Sequence, residues 1–198
     1  MLASASPRRA EILTRLGIAF SVRPPDVSEA VRPRELPAVA ARRLAIEKAE
    51  SVFREPGELV LAADTIVALG DRMLGKPAGQ SDAVEMLRLL GGRDHHVFTG
   101  LALRSDARIS SGVERTKVRF RALARSECEE YVATGEPADK AGAYGIQGRG
   151  SALVEGIDGD FFNVMGLPVQ LFLQLLDRQG FRYDFDALAV RPTPGADR

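Results

Sequence analysis

Leu59-Val60-Leu61-Ala62-Ala63-Asp64-Thr65 is the stretch on which the fold turns. Five apolar residues in a row read as a strand, and the acid that follows ends it. Ile66-Val67-Ala68-Leu69 continues in strand-like fashion, Gly70-Asp71 marks a turn, and Met73-Leu74 a short return strand. Helical runs lie on both sides of this segment in the chain, so an α/β class is expected. In such proteins a carboxylate at a strand end stands at the mouth of the sheet, where ligands bind.

Working outward, Ser6-Pro7 and Gly17 bracket a first helix whose apolar stripe is Ile12, Leu13 and Leu16. Ile18 to Val22 reads as a strand, and three prolines make 23–34 a loop carrying Asp26, Ser28 and Glu29. A long helix is expected from about Glu35 to Arg54. In it Lys48 lies four residues from both Leu44 and Val52, so it shares a helical face with apolar groups. Ser81 or Asp82 caps a helix that stops at Gly91-Gly92, and residues 95–104 and 113–121 alternate as strands. A helix from Ser126 to Thr134, a glycine-rich run over 135–151, a strand from Ala152 to Ile157 and a helix opened by Gly166-Leu167-Pro168 complete the pattern. Residues 1–185 are read as one domain and 186–198 as a disordered tail.

Composition removes several classes. Twenty-seven cations balance 27 anions, so no overall field favours nucleic acid or anionic lipid. No apolar run reaches membrane-span length, and the single Cys128 with two histidines cannot build a zinc or disulfide scaffold. A cytoplasmic globular protein is expected, with no nucleic acid and no membrane among its partners. Only four of the 27 cations are lysines, namely Lys48, Lys76, Lys117 and Lys140. Where arginine is the default, a lysine can mark the need for a compact point charge, as phosphate recognition requires. The alternative is chance.

Three places could carry chemistry. Ser4, Ser6, Arg8 and Arg9 cluster at a helix start, where free N–H groups already favour an anion. Hydroxyls and forked guanidinium groups suit a polyphosphate. An ordinary Ser-Pro helix start with surface arginines would look the same. Asp64 could hold a divalent metal or accept a proton from water, or simply bond nearby backbone. Glu29 could be a second carboxylate for the same metal, or an exposed loop residue. Within the glycine-rich run, the Gln147 amide offers a donor and an acceptor that complement the carbonyl and imide N–H edge of uracil or thymine. A turn-stabilising glutamine would be indistinguishable. His95-His96 has no Ser or Cys partner at recognisable spacing, and glutamates beside Cys128 raise rather than lower its pKa. Neither phosphate-binding glycine motif, GxxxxGK[ST] or GxGxxG, is present.

Ser4-Ala5-Ser6-Pro7-Arg8-Arg9, Glu29, Lys48-Ala49, Ala63-Asp64-Thr65, Gly75-Lys76-Pro77, Thr99-Gly100, Asp139-Lys140-Ala141-Gly142-Ala143-Tyr144-Gly145-Ile146-Gln147-Gly148 and Gly166-Leu167-Pro168 together resemble the Maf family of nucleoside triphosphate pyrophosphatases. The motifs run in order from residue 2 to about 178. The resemblance implies an elongated mixed sheet with flanking helices, two lobes around a cleft, similar to inosine triphosphate pyrophosphatases. It implies hydrolysis between the α- and β-phosphates with a divalent metal, Mg2+ or Mn2+. By position, Asp64 corresponds to the proton acceptor and a metal carboxylate, and Glu29 to a carboxylate assisting the metal. Ser6, Arg9, Lys48 and Lys76 correspond to groups meeting the triphosphate. Arg8, Thr65 and Gln147 resemble the branch acting on dTTP and UTP rather than the one acting on 7-methyl-GTP. The family is named for septum formation and its members are often dimeric, so a homodimer and a division link belong to the expectation. The rival readings are a non-catalytic division regulator that binds nucleotide, and a pyrophosphatase for 7-methyl-GTP or purine nucleotides.

Overall fold

The computed structural model describes residues 1–185 and 188–190. In chain order it contains β1 (Leu2–Ala3), α1 (Pro7–Arg15), α2 (Pro37–Ser51), β2 (Val60–Leu69), β3 (Arg72–Leu74), α3 (Gln80–Leu90), β4 (Asp94–Arg104), β5 (Ile109–Phe120) and α4 (Arg125–Ala133). Three short 3-10 turns follow between Glu136 and Leu153, then β6 (Val154–Asp158), α5 (Phe161–Met165), α6 (Val169–Arg178), β7 (Phe181–Tyr183) and β8 (Leu188–Val190). The six-stranded sheet runs β1-β2-β4-β5-β6, with β3 also paired to β2, while β7 and β8 form a separate ribbon. Only β1 is parallel to its neighbour, so the sheet is mixed.

The pleat of β2 divides the core. Leu61, Ala63 and Val67 point into the larger cluster, with Ile12 and Leu13 of α1, Leu87 of α3, Cys128 of α4 and Leu175 of α6. Val60, Ala62 and Ile66 point the other way, against α2. Helix α2 meets the sheet through Ala41, Ala45 and Ala49, all fully buried. Each alanine forgoes about 2 kcal/mol of burial relative to leucine, at about 0.8 kcal/mol per CH2. The gain is closeness. A Cβ at Gly100 of β4 would lie 2.2 Å from the Ala41 carbonyl oxygen, so that glycine is the seat on which α2 rests.

Several elements differ from the sequence reading, among them β5, which starts at Ile109 rather than at residue 113. Strand β2 does not end at Asp64 but runs on to Leu69. Hydropathy marks which residues are covered, not where a neighbouring strand stops. Ile18–Val22 is not a strand; Val22 makes one isolated bridge to Leu2, because β1 offers only two residues to pair with. The α2 helix begins at Pro37 rather than Glu35, since the residue before a proline avoids helical geometry. The 186–198 tail lies outside the described residues except for Leu188–Val190, which extend order past that boundary by pairing with β7.

Candidate active site

Mid-strand position still gives Asp64 an open edge. Strand β1 ends at the Ala3–Ala62 pair and β3 joins only at Val67, so Ala63–Ile66 has no strand neighbour on that side. A cleft of about 360 Å³ opens there. The pleat sends Asp64 toward α2 and Thr65 toward α1, so groups from both faces of the sheet converge at one gap. Ser6, Arg8, Arg9, Glu29, Lys48, Asp64, Thr65, Lys76 and Gln147 all line it. The structure therefore brings together every site residue expected from sequence. Five lining cations (Arg8, Arg9, Lys48, Lys76, Lys140) face three carboxylates (Glu29, Asp64, Asp139), an excess that suits an anionic ligand.

On the α2 side, Lys48 lies on the alanine stripe and is only 5% exposed. Its Nζ donates to Asp64 Oδ1 at 2.6 Å and to Glu29 Oε1 at 2.5 Å. Lys76 Nζ stands 3.5 Å from the other oxygen of Glu29. Burial alone would raise the Glu29 carboxyl. The hydrogen bond and charge of Lys48, with Lys76, outweigh it and hold the group below its ordinary value. Asp64 Oδ2 has no hydrogen-bond partner among the described residues.

Across the gap, Arg9 is a hub. Its Nε donates to the Gly166 carbonyl at 2.8 Å, one Nη to Ser4 Oγ at 2.9 Å, and the other to Thr65 Oγ1 at 3.1 Å. Burial lowers its pKa, opposed by the Asp64 charge, yet a guanidinium stays protonated. Three of its five N–H donors are thus committed to protein, leaving two for a ligand. Arg8 reaches Asp139 at 3.8 Å, and Gln147 Nε2 lies 3.5 Å from Glu11.

The glycine-rich run is tightly folded. Glu136 accepts from the Tyr131 hydroxyl at 2.8 Å and the Gly150 N–H at 3.1 Å on one oxygen, and from the Arg149 N–H at 2.9 Å on the other. Tyr131 in turn accepts from the Gly145 N–H at 3.1 Å. A Cβ at Gly148 would lie 2.4 Å from the Glu136 carboxylate, which accounts for glycine there. The loop so pinned presents Ile146 and Gln147 to the cleft. His95 is fully buried, bonded to the Tyr144 hydroxyl at 2.9 Å, and burial chiefly lowers its pKa to about 4. Cys128 is buried with its thiol pushed up, first by burial and then by Glu127.

Sequence reasoning named Ser4 beside Ser6 but gave a triphosphate role to Ser6 alone, marked Lys140 as a motif lysine without giving it a site role, and missed Glu136 and Asn163. Lys140 carried a signal, being one of the few lysines, and it lines the cleft with Nζ 2.5 Å from the Glu136 carbonyl. Among the described residues no group of three or more His, Cys, Asp or Glu could hold a metal alone. In that set Asp64 Oδ2 is free and Glu29 Oε2 meets only Lys76, at 3.5 Å, so the pair fits a Mg2+-type cation that also draws on substrate phosphates, rather than an all-protein cage.

The family described as Maf-like protein matches residues 1–179. A dTTP/UTP pyrophosphatase of Symbiobacterium thermophilum is 49% identical over 183 residues, covering 91% of this chain and 94% of that one. One from Moorella thermoacetica is 50% identical over 179 residues, covering 89% and 92%. One from Aquifex aeolicus is 48% identical over 177 residues, covering 89% and 93%.

Proposed function

Because the chain belongs to the Maf-like protein family, we propose that it hydrolyses dTTP and UTP to the nucleoside monophosphate and pyrophosphate, a nucleotide-pool house-cleaning reaction. The observation that carries this reading is the convergence of Arg8, Arg9, Lys48, Lys76 and Lys140 on the cleft that contains Asp64. The names of the relatives supply the pyrimidine substrates.

Lys48 holds the Asp64 carboxylate in one orientation through Oδ1, leaving Oδ2 to take a proton from water. As that proton leaves, the water oxygen bonds to the α-phosphorus and the bond to the bridging oxygen breaks. Pyrophosphate departs with its charge facing the cations of the cleft. Positioning and field supply most of the acceleration, since little covalent work falls to the protein. Asp64 and Glu29 would hold a divalent cation together with phosphate oxygens. When bound, such an ion neutralises triphosphate charge and polarises phosphoryl oxygens.

No described helix is long and apolar enough to cross a membrane, and the unpaired Cys128 fits the reducing cytoplasm. The test is a panel of dTTP, UTP, CTP, GTP, ITP and 7-methyl-GTP, with Mg2+ or Mn2+ omitted and restored. Equal yields of monophosphate and pyrophosphate from dTTP and UTP, dependent on the cation, are expected. Preference for ITP or 7-methyl-GTP, or tight binding without turnover, overturns the reading.

A further inference from the structure

Two hydroxyls flank Arg9 in the cleft, and proton bookkeeping gives them opposite polarity. Ser4 Oγ accepts twice, from Arg9 at 2.9 Å and from the Ser6 N–H at 3.2 Å. Its own proton has no acceptor among the described residues, so Ser4 offers a donor. Thr65 is the reverse case. Thr99 Oγ1 lies 2.9 Å from the Asn163 carbonyl oxygen, which can only accept, so Thr99 spends its single proton there. Thr65 Oγ1 lies 3.0 Å from Thr99 Oγ1, and with the Thr99 proton committed, Thr65 must be the donor. Were Thr99 to donate to Thr65 instead, two buried oxygens 2.9 Å apart would face each other with no proton between them. The acceptor of the Thr99 proton is the Asn163 main-chain carbonyl, which also accepts from the Gly166 N–H at 2.9 Å, and the residue is anchored by its side-chain amide, which donates to the Val97 carbonyl at 3.0 Å and to Thr116 Oγ1 at 2.9 Å.

Thr65, a half-buried residue of the cleft lining, thus gives its proton to Thr99, takes one N–H from Arg9, and keeps one lone pair. A lone pair there repels a phosphate oxygen and attracts a donor.

We propose that Thr99 determines base selectivity by fixing the Thr65 hydroxyl as an acceptor, so that the group seated against Thr65, in place of the Gln147 amide expected from sequence, is the imide N–H of uracil or thymine. The triphosphate then lies on the Ser4 side of Arg9 and the base on the Thr65 side. Cytosine presents a bare ring nitrogen where uracil carries its N–H, and two lone pairs would oppose. Thr99 touches no substrate; it is a positioning residue. The inference rests on the pyrimidine reading above, and its test separates the two.

Wild type, Thr99→Val, Thr99→Ser, Thr65→Val and the Thr65→Val/Thr99→Val double variant are compared for kcat/KM on UTP and CTP. Binding of UMP and CMP is measured in parallel by calorimetry, which needs no turnover. Thr99→Val frees the Thr65 proton, and the UTP-to-CTP ratio should fall about tenfold or more, as expected when a polar discrimination is lost. Thr99→Ser keeps the hydroxyl and should keep the ratio. The double variant should be no less selective than Thr65→Val, because both act through one lone pair. A merely structural Thr99 would lower both substrates together. An unchanged ratio in folded Thr99→Val, or equal binding of UMP and CMP by wild type, overturns the assignment. Should Thr99→Val not fold, a wild-type preference for UMP that Thr65→Val abolishes supports it, and one that survives in Thr65→Val overturns it. Failure of wild type to turn over UTP while still preferring UMP would sink the enzymatic reading and leave the hydroxyl assignment standing.

Discussion

Asp64 lines the cleft and Glu136 pins the loop that lines it; both carboxylates are held by neighbours, and they differ in what they have left to offer. Asp64 engages Lys48 through one oxygen and has the other without a partner among the described residues. Glu136 has both oxygens taken, by a phenol and two backbone N–H groups. An acceptor with a lone pair to spare can receive a proton; an acceptor already saturated can only hold its donors still. Reactivity in this cleft is therefore read from unused hydrogen-bonding capacity.

The contrast can be broken first at Asp64. Asp64→Asn keeps the shape and the contact with Lys48, but removes the basic oxygen. Turnover should fall at least ~100-fold, the low end for general-base contributions, with the melting temperature little changed. Near-normal steady-state hydrolysis by that variant would place the base elsewhere. Next, Gly100→Ala attacks the seat of α2. The new methyl meets helix backbone, not a movable side chain, so about 1–3 kcal/mol of overpacking is expected, together with lost activity as Lys48 is lifted from Asp64. Thermal melts and rate assays should fall together. A stability loss with kcat intact would mean that the Lys48–Asp64 distance is not critical. The smallest effect is at Glu136. Glu136→Gln sets one amide N–H against a backbone or phenol donor and loosens the 145–150 loop. KM should rise several-fold to tenfold with kcat within about twofold, since an unsatisfied donor costs about 1–3 kcal/mol. A drop in kcat equal to that of Asp64→Asn would erase the distinction between the two acids.

Much of this was legible before any coordinates. The apolar run at 59–63 announced a core strand, and Lys48 among apolar helical neighbours announced a cation turned inward. The scarcity of lysine, with Lys140 inside the glycine-rich motif run, pointed to a third cleft lysine as well. Other features were hidden for physical reasons. Asp64 looked like a strand end because one-dimensional hydropathy cannot tell a strand that stops from a strand whose neighbour stops. Ser4 and Ser6 are equivalent on paper; only the inward turn of β1 decides which of them Arg9 meets. Glu136 read as one more loop acid, because its partners are backbone N–H groups that every sequence possesses. Asn163 lay in a short apolar run, and its importance comes from a main-chain carbonyl that no side-chain motif encodes.

The brevity of β1 has a consequence of its own. After Ala3 the chain stops zipping along β2: Ser4 turns its oxygen to Arg9 and Ser6, and Pro7, lacking an N–H, starts the helix. Had the hem continued for two more residues, it would have sewn shut the aperture beside Asp64. A strand too short to contribute much cohesion is, in this molecule, what keeps the doorway from closing.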